Sequence, residues 1–561
     1  MERTVAIGKQ DFEKVILGNY FYVDKTSFIR EWWESGDDVT LITRPRRFGK
    51  TLTMSMTEQF FSVKYKDKGS LFENLSIWQS EKYRELQGTY PVISLSFANV
   101  KEDTYEKARL RINQILEALY NENHFLLETD ILTANEKEYF LNVKTYMDEV
   151  TATMAIHNMS KYLARYYGKK VIILLDEYDT PMQEAYVSGF WDELAAFTRS
   201  MFNAAFKTNS YLERAIMTGI TRVSKESIFS DLNNLEVVTT TSKKYEISFG
   251  FTEEEVFSAL EEYGLADYKV KVKEWYDGFT FGNHADIYNP WSIINFLEKR
   301  EFGTYWANSS SNTLVNKLLR EGSIEIKTDF EELLKGGFLK KVIDEQVVFN
   351  QLSRQENAVW SLLLACGYLK VASCVFEEAS GRYYYTLTLT NKEVKIMFEN
   401  TVRSWFVESE QEYNRFIKAL LLNDVDAMNH YMNQVALEIF SYFDTGNKPS
   451  DASDPERFYH GFVLDLLVEL ADQYRILSNR ESGFGRYDVM LEPLEDNRDA
   501  MILEFKVFDS RKEKTLEETV KRALVQIEKE NYASMLESKG VPREKIRTYG
   551  FAFQGKRVLI G

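Results

Sequence analysis

Residues 39–60 have the sequence VTLITRPRRFGKTLTMSMTEQF, and this stretch decides the fold of the N-terminal part of the chain. It runs from an apolar strand, Val39 to Thr43, through a turn to Gly49-Lys50-Thr51 and a helix. A phosphate-binding loop needs this order, because N–H groups of the turn hold phosphates, the lysine neutralises them and the hydroxyl binds magnesium. The stretch therefore predicts a nucleotide site in which Lys50 contacts the phosphates and Thr51 binds Mg²⁺.

The turn of this loop departs from the common pattern G-x-x-x-x-G-K-[ST]. Arg44 stands where the pattern has its first glycine, and two further arginines follow it. Three guanidinium groups would add positive charge where a triphosphate lies. We expect the nucleotide to be bound by six consecutive residues: Arg46, Arg47, Phe48, Gly49, Lys50 and Thr51.

A second apolar strand ends in two acids, since Val171 to Leu175 precedes Asp176 and Glu177. At the end of a buried strand, Asp176 would orient hydrated magnesium and Glu177 would polarise the attacking water. The alternative is an ordinary helix start at Gly49 and an ordinary strand end at Asp176. The joint occurrence of both halves in a βα context favours a site for ATP and Mg²⁺.

Two further segments leave alternatives open. Thr221 or Arg222, which follow another strand, would sense the γ-phosphate, and a solvated strand end is an equal alternative. Lys25 and Thr26 would contact the nucleotide or its base, or would instead form a salt bridge and a helix N-cap.

Composition and charge bound the class of protein. With 561 residues the chain is too long for one hydrophobic core, so three or four domains are expected. A net charge of -17 means that a nucleic-acid partner must find a local basic groove. The two cysteines lack the spacing of a zinc site, and no apolar segment is long enough to span a bilayer. We expect a cytoplasmic protein with no membrane partner.

Alternating apolar strands and helical stretches predict an α/β multidomain protein. Residues 1–240 are expected to form a P-loop NTPase domain around a largely parallel sheet. Four strands are expected in it: 39–43, 91–97, 171–175 and 214–219. Residues 241–320 would form a helical lid or winged-helix-like module, and residues 321–450 a mostly helical middle region with a strand pair near 383–389. The last domain is expected at residues 451–561.

Two strands near the C-terminus carry acids and a cation. Asp488 lies on the first, and Glu504 and Lys506 emerge on one face of the second, because they are two positions apart. A hairpin would bring Asp488 alongside Glu504. Cleavage of a phosphodiester needs carboxylates that hold Mg²⁺ and a cation near the attacking water, so the trio predicts a metal-dependent nuclease site. The alternative is an exposed ion pair between Glu504 and Lys506, with Asp488 unrelated.

The chain resembles the bacterial AAA-ATPase-like family over nearly its whole length. The similarity rests on five segments: Ile7-Gly8 with Asp11-Phe12, Tyr22 to Thr26, Arg44 to Lys50, Leu175 to Asp179, and Tyr288-Asn289-Pro290. The resemblance implies a P-loop ATPase fold related to AAA and STAND-type switches. It also implies that an arginine at position 44 is a common feature of the family. It also implies a C-terminal α/β restriction-endonuclease-like domain of the PD-(D/E)XK type.

In that C-terminal domain, the resemblance assigns metal binding to Asp488 and Glu504, and the positioning or activation of water to Lys506. Three further residues would support the site: Glu481, Arg486 and Gln526. Glu481 is favoured over Glu469 as an additional acid because it lies in the same glycine-flanked segment as Asp488.

Together these features predict an ATP-binding and ATP-hydrolysing protein that controls a fused Mg²⁺-dependent nuclease acting on DNA, with Mn²⁺ as an alternative metal. The family resemblance suggests a setting in defence or mobile-element biology. The alternative is a STAND-like nucleotide switch or scaffold whose C-terminal domain binds nucleic acid or protein without cleavage. An AAA relationship suggests a homo-oligomer, and a monomer or dimer is an equal alternative.

Overall fold

The computed structural model describes most of the chain, in two compact units. The described residues are 3–222, 228–229, 232–307, 309, 313–321, 323–334, 336–343, 356–407, 410–439, 467, 470, 473–482, 485–495, 498–509, 512–554 and 557–561. The first unit comprises Met1–Leu318 and Gly336–Met397, and the second comprises Leu319–Lys335 and Phe398–Gly561. Among the described residues, no helix has both the length and the apolar character that a membrane crossing requires.

The described helices, numbered along the chain, are α1 (Phe12–Leu17), α2 (Ser27–Ser35), α3 (Lys50–Phe61), α4 (Glu81–Leu86), α5 (Tyr105–Glu122), α6 (Ala134–Asn142), α7 (Glu149–Tyr167), α8 (Thr180–Ser188), α9 (Trp191–Phe202), α10 (Glu253–Glu262), α11 (Lys269–Tyr276), α12 (Pro290–Lys299), α13 (Thr313–Glu321), α14 (Ile324–Leu334), α15 (Glu356–Ala365), α16 (Lys392–Val407), α17 (Glu410–Leu422), α18 (Val425–Ile439), α19 (Leu516–Lys529) and α20 (Ser534–Ser538).

The described strands are β1 (Val39–Thr43), β2 (Val92–Ser96), β3 (Val171–Asp176), β4 (Leu212–Gly219), β5 (Leu235–Val238), β6 (Phe251–Thr252), β7 (Phe279–Phe281), β8 (His284–Tyr288), β9 (Leu339–Lys341), β10 (Leu369–Glu377), β11 (Arg382–Leu389), β12 (Tyr474–Ser482), β13 (Gly485–Pro493), β14 (Ala500–Val507), β15 (Ile546–Gln554) and β16 (Arg557–Ile560).

The first unit is built around a parallel sheet with strand order β2-β3-β4-β1-β5. Strands β1 and β3 are buried along their whole length because helices cover both faces, which is why both are continuous apolar runs. Leu41 packs on one face with α5, α7 and α9, whereas Ile42 packs on the other with α2 and α3. All four predicted strands of this sheet are confirmed. Strand β4 lies between β1, which precedes the glycine-lysine turn, and β3, which leads to the two acids.

The segment predicted to be a helical lid contains α10, α11 and α12 and also a small antiparallel sheet of order β6-β8-β7, which the sequence did not indicate. Thr252 caps α10 in a reciprocal capping box with Glu255. The first unit ends with α15 and the antiparallel strands β10, β11 and β9. The strand pair predicted near residues 383–389 is therefore confirmed as β11 with β10.

The second unit contains α14, α17, α18 and the later part of α16 from the middle region, together with a mixed sheet of order β12-β13-β14-β15-β16. Strands β13 and β14 are antiparallel, whereas β14 and β15 are parallel. Leu503 and Phe505 face a core shared with α17 and α18, and Ile502 faces the opposite core with α19. The α/β multidomain class, with a helical middle region and a C-terminal mixed sheet, is confirmed.

Candidate functional sites

The turn between β1 and α3 has the backbone geometry of a phosphate-binding loop. Gly49 at φ +83° and Arg47 at φ +65° are both left-handed, which costs glycine nothing and strains the arginine. The ammonium of Lys50 is buried and donates to the carbonyl oxygens of Arg44 (3.0 Å) and Pro45 (3.1 Å). It also lies 3.6 Å from the carboxylate of Glu177, so the one lysine of the loop faces the C-terminal end of β3.

The structure contradicts the expectation that the charge of Arg44 contributes to a phosphate site. The side chain is fully buried, and its guanidinium donates to the carbonyl oxygens of Thr43 (2.9 Å) and Thr239 (2.7 Å). It also lies over the ring of Phe281, 4.5 Å from the centroid. Because an arginine can satisfy carbonyls that a glycine would leave open, this residue holds the turn to the segment after β5.

The three residues that follow in the turn contact the lid. The carbonyl oxygen of Arg46 accepts from the indole N–H of Trp306 (2.9 Å), and the Arg47 guanidinium lies 4.2 Å above the ring of Trp291. The Phe48 ring is buried against Phe279, at 4.7 Å between centroids, so this side chain stabilises the lid contact. Arg46 and Arg47 themselves remain exposed.

The structure brings the hydroxyl of Thr51 to the first acid of β3. Its Oγ1 donates to Oδ2 of Asp176 at 2.7 Å, and Thr218 on β4 donates to the other carboxylate oxygen. Burial first, and then the neighbouring Glu177, raise the pKa of Asp176. A buried carboxylate such as that of Asp176 is costly to ionise. Because Mg²⁺ prefers hard oxygen ligands, this carboxylate and the neighbouring hydroxyl of Thr51 together fit Mg²⁺.

The predicted sensing residues follow β4 directly. Thr221 donates to Asp179 from its backbone N–H (2.8 Å) and from its hydroxyl (2.9 Å), and Arg222 is half-buried beside it. Sequence reasoning gave Asp179 no role. The available signal was a second aspartate three positions after Asp176, in the segment Leu175 to Asp179.

Of the structural alternative at Lys25 and Thr26, the salt bridge is present and the capping hydrogen bond is not. Lys25 forms a 2.7 Å ion pair with Glu255 on α10. Thr26 stands at the N-cap position of α2 without a capping side-chain hydrogen bond, and its hydroxyl donates to Asp24 at 2.6 Å. Burial lowers the pKa of Lys25, and Glu255 opposes that effect. The pair therefore ties the N-terminal segment to the lid.

The C-terminal trio meets on the hairpin of β13 and β14. Val489 pairs with Leu503 at the end of the paired register, and Asp488 and Glu504 are the next residue on each strand. The carboxylate of Asp488 accepts from the backbone N–H of Phe505 at 2.8 Å. The Lys506 ammonium donates to Oε1 of Glu504 at 2.9 Å. The predicted hairpin and the shared face of Glu504 and Lys506 are confirmed.

Glu504 is buried to 1% exposure, and its second oxygen, Oε2, has no hydrogen-bond partner among the described residues. Burial, followed by the charge of Asp488, raises the pKa of Glu504 to about 7, while Lys506 opposes the rise. A buried carboxylate oxygen without a donor fits a cation. In the described part of the chain, no group of three or more His, Cys, Asp and Glu side chains is placed to hold a metal ion. The trio offers a metal ion two carboxylates, those of Asp488 and Glu504.

The predicted supporting residues divide into two groups. Gln526 on α19 donates to the hydroxyl of Tyr532 at 3.1 Å. Burial first, and then the charges of Glu504 and Asp488, raise the pKa of this tyrosine, while Gln526 opposes the rise. Tyr532 therefore lies near the acids, and sequence reasoning missed it. The other two, Glu481 on β12 and Arg486 on β13, pair with each other across the two strands, and their side chains lie outside the described part of the structure.

Comparison with known proteins matches the two ends of the chain to two family models. Residues 6–229 match the family model described as Predicted AAA-ATPase, and residues 454–561 match that of the PD-(D/E)XK nuclease superfamily. The chain is also 27% identical over 397 residues to the "Uncharacterized protein in vnfD 5'region" of Azotobacter chroococcum mcd 1. That match covers 70% of this chain and 68% of the relative. Both matches to family models confirm the resemblance expected from the motifs.

Proposed function

With an AAA-ATPase-like domain at residues 6–229 and a PD-(D/E)XK nuclease-superfamily domain at residues 454–561, we propose that this protein binds and hydrolyses ATP and thereby controls cleavage of DNA by its C-terminal domain. The proposed division of the chain is 1–240, 241–320, 321–450 and 451–561. Defence or mobile-element biology is the proposed setting, and a homo-oligomer in the cytoplasm is the proposed state.

The N-terminal site supplies the groups that ATP hydrolysis needs. Lys50 would exchange its two carbonyl partners for phosphate oxygens, and Thr51 and Asp176 would hold Mg²⁺, which neutralises charge on the phosphates. Glu177, 3.6 Å from Lys50, would accept a hydrogen bond from the attacking water and orient it. Arg46, Arg47, Gly49 and Phe48 would surround the phosphates through the turn, with Arg222 beside the γ-phosphate.

The C-terminal site supplies the groups for phosphodiester cleavage. Asp488 and Glu504 would hold Mg²⁺ or Mn²⁺, which polarises the scissile phosphate when bound. Lys506 would orient the attacking water and stabilise negative charge in the transition state. Glu481, Arg486 and Gln526 are the proposed supporting residues.

The observation that carries the nuclease proposal is the buried Oε2 of Glu504, which has no hydrogen-bond donor among the described residues although Asp488 and Lys506 lie beside it. An exposed surface ion pair would not leave a carboxylate oxygen buried and unsatisfied, because that arrangement costs about 1–3 kcal/mol or more. Divalent metal binding would offset this cost.

The test compares three full-length proteins: wild type, Lys506→Ala and Lys512→Ala. Lys512 has a side chain 71% exposed and lies just beyond the same strand, so it is a matched control. Each protein is incubated with linear, circular and single-stranded DNA, in Mg²⁺ or Mn²⁺, with and without ATP. Cleavage by wild type and Lys512→Ala but not by Lys506→Ala supports the proposal. Equal cleavage by all three, or none by any folded protein, refutes it.

The second candidate function is a nucleotide-dependent switch or scaffold that binds nucleic acid or protein without cleavage. The net charge of -17 favours it, because a surface of this sign repels DNA outside a local basic groove. Nucleotide binding combined with no cleavage on any DNA form would select this candidate.

A further inference from the structure

The turn that follows β4 connects the two halves of the nucleotide site. The backbone N–H of Arg44 donates to the carbonyl oxygen of Gly219 at 3.1 Å, so the turn contacts the phosphate-binding loop. The hydroxyl of Tyr178 donates to the carbonyl oxygen of Thr221 at 2.8 Å, so the turn also contacts the segment after β3. Groups on this turn therefore lie beside both Lys50 and Glu177, between which the transferred phosphate of ATP would lie.

One carboxylate oxygen organises the turn. Oδ2 of Asp179 accepts from the backbone N–H groups of Ile220 (3.0 Å) and Thr221 (2.8 Å) and from the Thr221 hydroxyl (2.9 Å). Asp179 is fully buried, and burial and the charge of Glu177 raise its pKa. Hydrogen bonds to a charged acceptor in a buried site are stronger than neutral ones, so Asp179 is the principal side chain that holds this turn.

The other carboxylate oxygen of Asp179 explains the glycine of the turn. Oδ1 has no hydrogen-bond partner among the described residues and faces the Cα of Gly219. A Cβ at position 219 would lie 2.6 Å from Oδ1 and 2.7 Å from the Tyr178 ring. The chain therefore keeps the smallest residue where the carboxylate approaches the strand end.

Asp179 also reaches an arginine of the phosphate-binding loop. Oδ2 accepts a fourth hydrogen bond from the side-chain amide of Gln183, at 3.0 Å, and the amide oxygen of Gln183 accepts from the guanidinium of Arg46 at 3.4 Å. The exposed Arg46 side chain is thus oriented by the same residue that orients the turn.

From these contacts we infer that Asp179 is a positioning residue for the γ-phosphate: it holds the turn Gly219 to Thr221, and through Gln183 the Arg46 side chain, in the geometry that recognises a triphosphate. The inference rests on the proposed ATP binding and adds to it the selection of triphosphate over diphosphate. A diphosphate would be held mainly by the backbone of the loop and by Lys50, so its affinity would depend on Asp179 much less than that of a triphosphate.

The test measures the affinity of the full-length protein for fluorescent ADP and for a fluorescent, non-hydrolysable ATP analogue, both with Mg²⁺. Asp179→Asn keeps the size of the side chain and removes its charge, and Gln183→Leu removes only the link to Arg46. Asp192→Asn, an exposed acid on α9, is the matched control. Thermal unfolding establishes that each variant is folded.

We expect Asp179→Asn to lower the affinity for the triphosphate analogue about tenfold and the affinity for ADP by less than about twofold. A tenfold loss of affinity corresponds to the loss of roughly one charged hydrogen bond. Gln183→Leu shifts the same ratio by a smaller factor. An equal loss for both nucleotides, or no loss in either variant, overturns the inference while leaving ATP binding intact. A folded wild type that binds neither nucleotide refutes ATP binding itself, and the inference with it.

Discussion

Glu393 at the start of α16 is a buried acid whose ionisation should make the first unit less stable at high pH. Its side chain is 1% exposed and accepts from the Ser292 hydroxyl (2.8 Å) and from the backbone N–H groups of Trp306 (2.6 Å) and Ala307 (3.2 Å). Burial raises the pKa of Glu393 to about 7, although these donors act in the opposite direction. The proton is therefore held more tightly in the folded chain than in the unfolded one.

The magnitude follows from the difference between the two states. The unfolded chain releases this proton near the ordinary pKa of 4.5, and the folded chain holds it to about 7. The stabilisation from the bound proton is fully present below 4.5 and is lost as the pH rises through 7. A difference of this size corresponds to about 3 kcal/mol. Glu393→Gln is neutral at every pH, so it avoids that loss at a cost of about 1 kcal/mol for altered hydrogen bonds.

The assay compares denaturant-induced unfolding of wild type, Glu393→Gln and the exposed control Glu298→Gln, followed by tryptophan fluorescence from pH 5 to 8.5. The difference between wild type and Glu393→Gln isolates Glu393, because all other titrating groups are shared. We expect the free energy of unfolding of Glu393→Gln, relative to that of wild type, to rise by about 2–3 kcal/mol from the low to the high end of this pH range. Glu393→Gln should therefore be the more stable protein at pH 8. A difference that stays constant with pH, or a less stable Glu393→Gln at pH 8, refutes the argument.

Three further outcomes are expected. Gly219→Ala places a Cβ 2.6 Å from Asp179 and should lower the free energy of unfolding by about 1–3 kcal/mol, measured by chemical denaturation; an unchanged value contradicts the close approach. Arg44→Met leaves the carbonyl oxygens of Thr43 and Thr239 without their buried donor, so thermal unfolding should show a destabilisation of about 2–4 kcal/mol, and a neutral result contradicts the structural role of the guanidinium. DNA affinity, measured by fluorescence anisotropy, should fall steeply as salt rises, because the acidic chain must bind DNA through a few local cations; a salt-independent affinity contradicts the proposed DNA partner.

The sequence predicted the elements that repeat a local pattern. Continuous apolar runs identified the strands of the parallel sheet, because strands covered on both faces need such runs. The spacing of Glu504 and Lys506 identified a shared strand face, because side chains alternate along a strand. The proximity of Asp488 and Glu504 followed from the hairpin of β13 and β14, because both residues lie next to its last paired position, Val489 with Leu503.

The missed features depend on contacts between distant positions. Arg44 meets the carbonyl of Thr239, 195 residues away, so its own neighbours in sequence give no sign that its charge is internal. Asp179 meets Thr221, 42 residues away, and Glu393 meets Trp306 across 87 residues. A charged residue looks the same in sequence whether it is exposed or buried with donors, and only the fold decides between the two.

The same reasoning explains why donors from distant segments contact the phosphate-binding loop. A loop that binds phosphates must keep its N–H groups directed inward, so its outward carbonyls need donors from elsewhere. Trp306 donates to the carbonyl oxygen of Arg46, and Glu393 holds the backbone of Trp306 in turn. Arg44 donates outward to the segment after β5 and so fixes the other end of the turn. Trp306, Glu393 and Arg44 thereby fix the turn between β1 and α3, a requirement that the loop motif alone does not reveal.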